Sequence, residues 1–585
     1  MSRCTRSIGE GMQMGIKFEK AFLATCLIGF LPGGEAKALS GISMNAGREL
    51  RALPAAKKSG TLYLQLSGNP RVLIPCLAND VPSRSVSYFL FAQLMMKDGE
   101  TGDFYPYLAE KVEVSKDKKD MTFTLRKDAT WEDGSPVTVD DVEFTYQKIM
   151  DPKVEAAPVR SYIETLKFNR IDERTFRFHA DQPNVNTLAE TIEDFLVIQK
   201  KQFAGASDFN KAKGVMEPVG NGPYRLKGFS RDQKLEFELK KDWWGFKIPE
   251  FKNQYNFESL VFRIIPDRAL AYEKFLKGEI DTYEMTAEIF GTKARGVDKD
   301  KVGTDAKTDK AVWARHFVND APATYSYIGW NQKRAVFRSK KTRQALAHLI
   351  PYDEIIEKVY YGEGSRCISP FGSRTRNSAP DQKSKAFRFD PKKALSMLKE
   401  DGWSDPDGSN VISKEIDGKR IKFEFTIRYN SDNPMRAKIA QMVKEQFKKA
   451  GIVVNVQAIE FNTLISSLES HDFDAVVMAW ARGPLHPDSK QIWHSKSADG
   501  KGSNYISYSN PEADKLIEQA TSELDPEKHI RLNQKIGALV YDDQPYAFLA
   551  EVPGLIYGFK RDKLKAKKWV YRYDDLLPVS VYSPL

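Results

Sequence analysis

Between Lys422 and Trp480 the chain alternates strand and helix patterns in an order that only a parallel sheet with helical crossovers accommodates. KFEFTIRY places Phe423, Phe425, Ile427 and Tyr429 at period 2, the spacing of a half-buried strand. A capped helix follows, with Asn433 before Pro434 at the first helical position and Ile439, Met442, Val443 and Phe447 on one face. Gly451 ends it, IVVNV reads as a short buried strand, residues 462 to 470 as a helix, and AVVMAW as a third strand. In open α/β sheets ligands collect outside the carboxyl ends of the strands. The segment leaving that third strand, ARGPLHPD, is therefore the expected rim of a binding crevice, with Trp480, Arg482, His486 and Asp488 as its candidate residues.

A chain of 585 residues exceeds a single core and predicts two to four domains. Its net charge of +10 is dispersed through mixed blocks such as KVEVSKDKKD, which describes a solvated surface and excludes a nucleic-acid groove. From Met14, MGIKFEK gives a basic start, AFLATCLIGFL an apolar stretch too short to span a bilayer, and Ala36 and Ala38 the small residues that signal peptidase reads. This predicts a secretory signal over 1–38, a mature chain beginning near Leu39 and a soluble protein, with lipid anchoring at Cys26 the less favoured alternative. Two cysteines remain after export, Cys76 and Cys367. An oxidising compartment permits their pairing, but the spacing does not say whether they meet.

Residues 39–58 read as a polar linker, after which TLYLQL opens the folded part as a strand. TFTLRKDATW alternates, EDGSP turns, and Thr138 with Asp141 forms a capping box for a helix bearing Val142, Tyr146 and Ile149. LEFEL and LVFRII read as strands, and LAYEKFLKGEID as a helix ended by Gly278. The helix KTRQALAHLI stops at Pro351, and residues 372–388 read as a long polar loop. Helices at 511–521 and 526–541 precede a last strand, YAFLAEV.

The common catalytic and metal-binding motifs are missing from the sequence, while its many carboxylates leave a paired-acid glycosidase open by pattern. None of the seven histidines lies in HExxH, and GxSxG, Walker A and GxGxxG do not occur. His486 and His494 lack a cysteine nearby and fit no common zinc spacing. The chain is expected to be no enzyme and to carry no cofactor and no metal.

Several segments, in order, resemble the extracellular solute-binding proteins of family 5, the peptide receptors of ABC importers. TFTLRKDATWEDGSPVTVDDVEFTY resembles the family's strand, Asp-Gly-x-Pro turn and helix. GNGPYRLKGF resembles its Gly-x-Gly-Pro-Tyr return, and FRIIPDRALAYEKFLKGEIDTYE its strand and helix closing on Gly-Glu-Ile-Asp. YIGWNQKRAVFRSKKTRQALAHLIPYDEII, PKKALSMLKEDGW and SYSNPEADKLIEQA resemble three further family blocks. The likeness runs from about Thr61 to the end. SKSADGKGSNYISYSNPEADKLI is most similar to the receptors related to the microcin C importer.

The resemblance implies an α/β, two-lobed periplasmic-binding-protein clamp with an extra small α/β insertion domain, three regions in all. The expected boundaries are 59–98, 217–322 and 549–585 for the first lobe, 99–216 for the insertion and 323–548 for the second lobe. It implies a periplasmic protein, monomeric, that captures oligopeptides by lobe closure and hands them to permease subunits in the inner membrane. A metal chelate, an oligosaccharide or haem is the alternative ligand, and a secreted hydrolase the alternative class. By resemblance, the segment matching AWARG supplies main-chain hydrogen bonds to an extended peptide, which assigns Trp480, Ala479 and Ala481 to the ligand. The family's acid for the peptide ammonium is replaced here by Arg482 and Gly483, and the first acid is Asp488. Arg482 then either grips a ligand carboxylate or phosphate with its fork or pairs with an acid of the protein. Tyr88, Phe89, Tyr325, Tyr327 and Trp330 are candidate aromatic linings, and Asn331 a hydrogen bonder at the hinge.

Overall fold

The computed structural model describes residues 58–566 and 582–584, except 79, 98–103, 157–158, 161–162, 183–194, 252, 295–301, 305–310, 318–322, 432, 481–488, 499–501, 524, 553–554 and 561–562. The leader and linker, the expected signal-peptidase site and Cys26 lie outside the described residues. Strand β1 (Thr61–Leu66) buries Leu62, Leu64 and Leu66 and leads to helix α1 (Val81–Leu90), which Asp80 caps by accepting from the Ser83 amide. The chain then builds a separate antiparallel sheet from β2 (Ala109–Val114), β3 (Asp120–Leu125), β4 (Leu166–Arg170) and β5 (Thr175–Ala180), in the order β2–β3–β5–β4.

Helix α2 (Val139–Met150) packs on this sheet and starts at the expected capping box: Thr138 N donates to Asp141 Oδ2 at 3.1 Å. The same carboxylate accepts from Trp131 Nε1 and from the Lys200 amide, so one buried Asp joins the turn, the helix and a distant loop. Phe123, Phe176, Phe178 and Val142 belong to one apolar cluster with Leu62, Phe89 and Phe262. The insertion thus shares its core with the sheet it springs from.

Strands β6 (Tyr224–Ser230), β7 (Lys234–Leu239) and β8 (Ser259–Ile264) complete a sheet ordered β1–β8–β7–β6, in which β1 and β8 are parallel. Helix α3 (Arg268–Leu276) and β9 (Thr282–Met285) follow. The motif Gly-Glu-Ile-Asp has a structural cause: Gly278 turns with φ 76°, and Asp281, fully buried, accepts from Tyr63 N at 2.9 Å and faces Lys563 Nζ at 3.0 Å. Three stretches of chain, far apart in sequence, are tied at that carboxylate.

Strands β10 (Val302–Thr304) and β11 (Ala311–Phe317) then pair in a sheet that also holds β9. The second lobe begins with β12 (Thr324–Trp330), helices α4 (Lys340–His348) and α5 (Tyr352–Lys358), β13 (Ser365–Arg366) and α6 (Pro391–Glu400). It continues with β14 (Glu424–Asn430), α7 (Pro434–Lys449), β15 (Val453–Ile459), α8 (Phe461–Glu469) and β16 (Ala475–Trp480). Helices α9 (Pro511–Ser522) and α10 (Pro526–Asp543) and strand β17 (Tyr546–Val552) close it, before β18 (Leu555–Lys560) returns to the first lobe's sheet. The six-stranded sheet runs β13–β17–β12–β16–β14–β15 and the sheet across the crossing β9–β18–β11–β10. The β14–α7–β15–α8–β16 series is the expected parallel unit.

The chain passes between lobes twice, side by side. β11 pairs antiparallel with β18 to Phe317↔Leu555, and β12 pairs antiparallel with β17 from Thr324↔Val552. Strand β17 runs to Val552 and β18 begins at Leu555. Strand alternation carries on past Phe548, and Ala550 and Glu551 still pair with β13. Cys76 and Cys367 are both free and buried in separate clusters, and burial pushes the Cys76 thiol up to about 12. The 372–388 segment is less loop-like than its polarity suggests, since Asn377, Ser378 and Gln382 are buried and residues 382–385 form a 3-10 turn.

The Gly220-Asn221-Gly222 turn is seated against the end of α1. Gly222 N donates to Leu90 O at 2.7 Å, Asn221 Oδ1 accepts from Ala92 N, and Trp243 and Trp244 both donate to Asn221 O. A Cβ on Gly222 would fall 2.7 Å from the Leu90 carbonyl carbon. Gly222→Ala should therefore cost about 1–3 kcal/mol through overpacking, read as a lower urea midpoint with the slope unchanged.

At the crossing, Glu551 is 1% exposed and accepts from Ser373 N at 2.9 Å and from Ser365 Oγ. Burial raises its pKa above the usual carboxylate range despite those donors and the nearby Arg374 charge. A raised acid makes the native state bind more protons than the unfolded one, so this group's contribution to stability falls as pH rises from the usual Glu range through the raised value. Glu551→Gln should remove that slope and stabilise the protein at pH 7 relative to pH 4, as read in paired urea titrations. Identical slopes in both proteins would contradict the assignment.

Candidate functional site

Strands β14, β15 and β16 are parallel, so their carboxyl ends, Asn430, Ile459 and Trp480, share one edge of the sheet. The amino end of β12 and the carboxyl end of β17 meet the same edge, because Tyr325 is paired with both Trp480 and Glu551. The two crossings leave from there. That edge therefore faces the hinge.

Chain order places a crevice on this edge. Helix α7, leaving β14, packs Ile439, Val443 and Phe447 into the cluster on one face of the sheet. The chain leaving the adjacent strand β16 reaches Trp493 in the cluster on the other face. Connections that depart to opposite faces open a gap between neighbouring strands. Here the backbone ladder opens too: β14 and β16 pair at Ile427↔Ala475 and Arg428↔Val476, while β12 stays paired with β16 as far as Trp480.

Four aromatic rings run in series from β17 across β12 to β16 and beyond, on the side of β16 away from β14. Tyr546 and Tyr327 stack with centroids 3.8 Å apart and planes at 12°. Trp480 continues the series at 6.3 Å and 16° from Tyr327, and Tyr505 at 6.5 Å and 12° from Trp480. At those distances near-parallel rings overlap only in part, so the series descends like a staircase from the buried tyrosines to half-buried Trp480 and Tyr505. Trp480 Nε1 donates to the Tyr546 hydroxyl at 3.4 Å. Each such pair adds about 0.5–1.5 kcal/mol beyond area burial, which holds the Trp480 ring in one orientation. Burial raises the Tyr327 and Tyr546 hydroxyls above their ordinary range, so both stay protonated donors.

Across the gap, Arg436 in the first turn of α7 donates to Asn430 Oδ1 and, at 3.1 Å, to Met478 Sδ. Its guanidinium spans the carboxyl ends of β14 and β16 just where their ladder has stopped. Asn433 places that turn by capping α7, accepting from Arg436 N at 3.1 Å.

The expected site residues divide as follows. Trp480, Ala479 and Tyr325 lie together on the hinge-facing edge, while Ala481, Arg482, His486 and Asp488 fall outside the described residues. Trp330 is fully buried among Phe337, Phe425 and Phe447 on the opposite face of the sheet from Trp480, and so is a core residue. Phe89 is likewise corrected to the core, its ring against Tyr224 and Phe262, while Tyr88 on the same helix is half-buried. Asn331 works at the other end of β16: its amide donates to His471 O and Phe473 O, pinning the turn that precedes the strand.

Tyr505, Tyr546 and Arg436 were not among the sequence candidates. The alternation of YAFLAEV could have placed Tyr546 beside Tyr327, but nothing local to Arg436 points to a methionine 42 positions away. Among the described residues no group of three His, Cys, Asp or Glu side chains could hold a metal ion, and no helix is long and apolar enough to cross a membrane.

Comparison with known proteins agrees with this architecture. Residues 103–503 match the profile of bacterial extracellular solute-binding proteins, family 5 middle region. The oligopeptide-binding protein AppA of Bacillus subtilis (strain 168) is 28% identical over 532 residues, which cover 88% of this chain and 92% of that protein. The dipeptide-binding protein of Escherichia coli (strain K12) is 25% identical over 522 residues, covering 85% and 90%. The solved structure of AppA from Bacillus subtilis in complex with a nonapeptide aligns with a TM-score of 0.69 at 27% identity, over 91% of this chain and all of that one. With more than half its length matched and the two-lobed architecture in place, this chain belongs to the bacterial extracellular solute-binding proteins of family 5.

Proposed function

We propose that the protein is the peptide receptor of an ABC importer, holding short peptides between its lobes and delivering them to permease subunits in the inner membrane. One observation carries the reading: beyond Val476 the β16 backbone separates from β14 while remaining paired with β12. An extended peptide offers the repeating donors and acceptors that the opened side of Val477–Trp480 can take, whatever its side chains. The relatives named for oligopeptide and dipeptide binding, and the nonapeptide in the AppA structure, support the same ligand class.

In this reading Ala479 and Ala481 present main chain and Trp480 stacks on the ligand. Arg482 holds its carboxylate, and Asp488 and half-buried Tyr88 flank it, while Tyr325, buried in the cluster beneath, supports that edge. Two connecting segments side by side act as the hinge, and ligand contacts made by both lobes shift the population toward closure. The mature protein begins near Leu39 and works as a periplasmic monomer without catalysis.

Calorimetry on ligand-stripped protein with a mixed tri- to pentapeptide pool, followed by mass analysis of the recovered ligand, tests this. Intact peptides of mixed sequence are expected. Cleaved products would mean a hydrolase, and no uptake a non-peptide ligand. Within that assay Arg482→Ala should weaken binding by about 2–4 kcal/mol, as for one partner of a desolvated charge pair. Trp480→Ala should cost about 2 kcal/mol as a stacked anchor. An Arg482→Ala protein that loses melting temperature but keeps its affinity would make Arg482 a structural pairing residue instead.

A further inference from the structure

Beside the two crossings the lobes also touch through residues that the peptide site does not use. On the first-lobe side, β9 leads into a short helical turn, Ala287–Ile289, and a π turn, Phe290–Ala294. Thr286 caps it by accepting from Ile289 N, and Thr292 Oγ1 donates to Glu288 O, so the turn is internally bonded. On the second-lobe side, Tyr361 ends the segment after α5, and Lys438 projects from α7 two residues beyond Arg436.

The fit between them is close. A Cβ on Gly291 would lie 2.8 Å from Tyr361 Cγ, so only glycine lets the tyrosine seat there. Tyr361 holds φ 54°, a left-handed backbone that a bulky L-residue avoids, and Gly362 follows at 79°. Such a conformation persists only where surrounding contacts over-determine it, and π turns concentrate at functional sites. Lys438 Nζ reaches both partners, donating to the Tyr361 hydroxyl at 3.4 Å and standing 4.0 Å from Glu288 Oε1.

We propose that Tyr361, Lys438, Glu288 and Gly291 form a latch that favours the closed arrangement of the lobes even without ligand. The inference rests on the lobe-closure reading above. Steric seating of Tyr361 on Gly291 is the main element, because the Lys438–Glu288 pair is about half exposed and is screened by salt. Lys438 shares the amino-terminal part of α7 with Arg436, so the helix that borders the crevice also carries the latch. A latch of this kind raises apparent affinity by enlarging the fraction of molecules already competent to hold ligand.

Spin labels at Leu270→Cys in the first lobe and Leu395→Cys in the second, both on exposed positions, report the lobe separation in the mature protein without added ligand. Cys76 and Cys367 are buried and stay unlabelled. Gly291→Leu and Tyr361→Gly should each move the distance distribution to longer values and weaken binding of the mixed tri- to pentapeptide pool about three- to tenfold. Tyr361→Gly also relieves the left-handed backbone, so its melting temperature should hold, which separates an opened latch from a misfolded variant. Unchanged distances in the Tyr361→Gly protein overturn the latch. Lengthened distances in both variants, with no peptide bound by any of the proteins, uphold the latch and remove the peptide reading.

Discussion

The antiparallel pairing of β12 with β17 is the constraint on which the remaining structure turns. It forces the outgoing and returning connections to lie next to each other, and the matching β11–β18 ladder fixes them on the far side. Two adjacent connections permit rotation between lobes while the ladders resist shear, since sliding would break hydrogen bonds on both sides of the passage. The same pairing brings Tyr325, Trp480 and Glu551 to one edge. Hinge and crevice are thereby built from the same strands.

The chemistry of that edge follows from packing more than from charge. The buried tyrosines 327 and 546 are close-stacked and fully enclosed, which makes them a fixed base for the half-buried rings of Trp480 and Tyr505. A preorganised aromatic surface beside open main chain holds a ligand without requiring a particular side chain, because neither stacking nor main-chain pairing reads sequence strongly. Arg436, bridging Asn430 and Met478, keeps the separated ends of β14 and β16 at a set spacing.

Much of this was legible in the sequence, for physical reasons that differ by element. Caps are local, so Thr138 with Asp141 and Asn433 before Pro434 announced α2 and α7. The parallel unit from 422 to 480 was legible because period 2 and period 3.6 alternate there without interruption. Trp330 was misplaced although its parity was visible: in a strand, residues 325 and 327 face one side and residue 330 the other. Other features depend on residues far away in the chain. Gly222 is required by the backbone of Leu90, Asp281 by Tyr63 and Lys563, and Gly291 by Tyr361, and no local pattern encodes those meetings.

Amide hydrogen exchange along β16, with and without the mixed tri- to pentapeptide pool, tests the central claim most directly. If a peptide's main chain completes the side of β16 that β14 has left, the amides of Val477–Trp480 gain protection on binding, and the fully paired strand β12 changes little. Protection confined to other segments, with Val477–Trp480 exchanging as in the ligand-free protein, would place the ligand elsewhere and contradict the account.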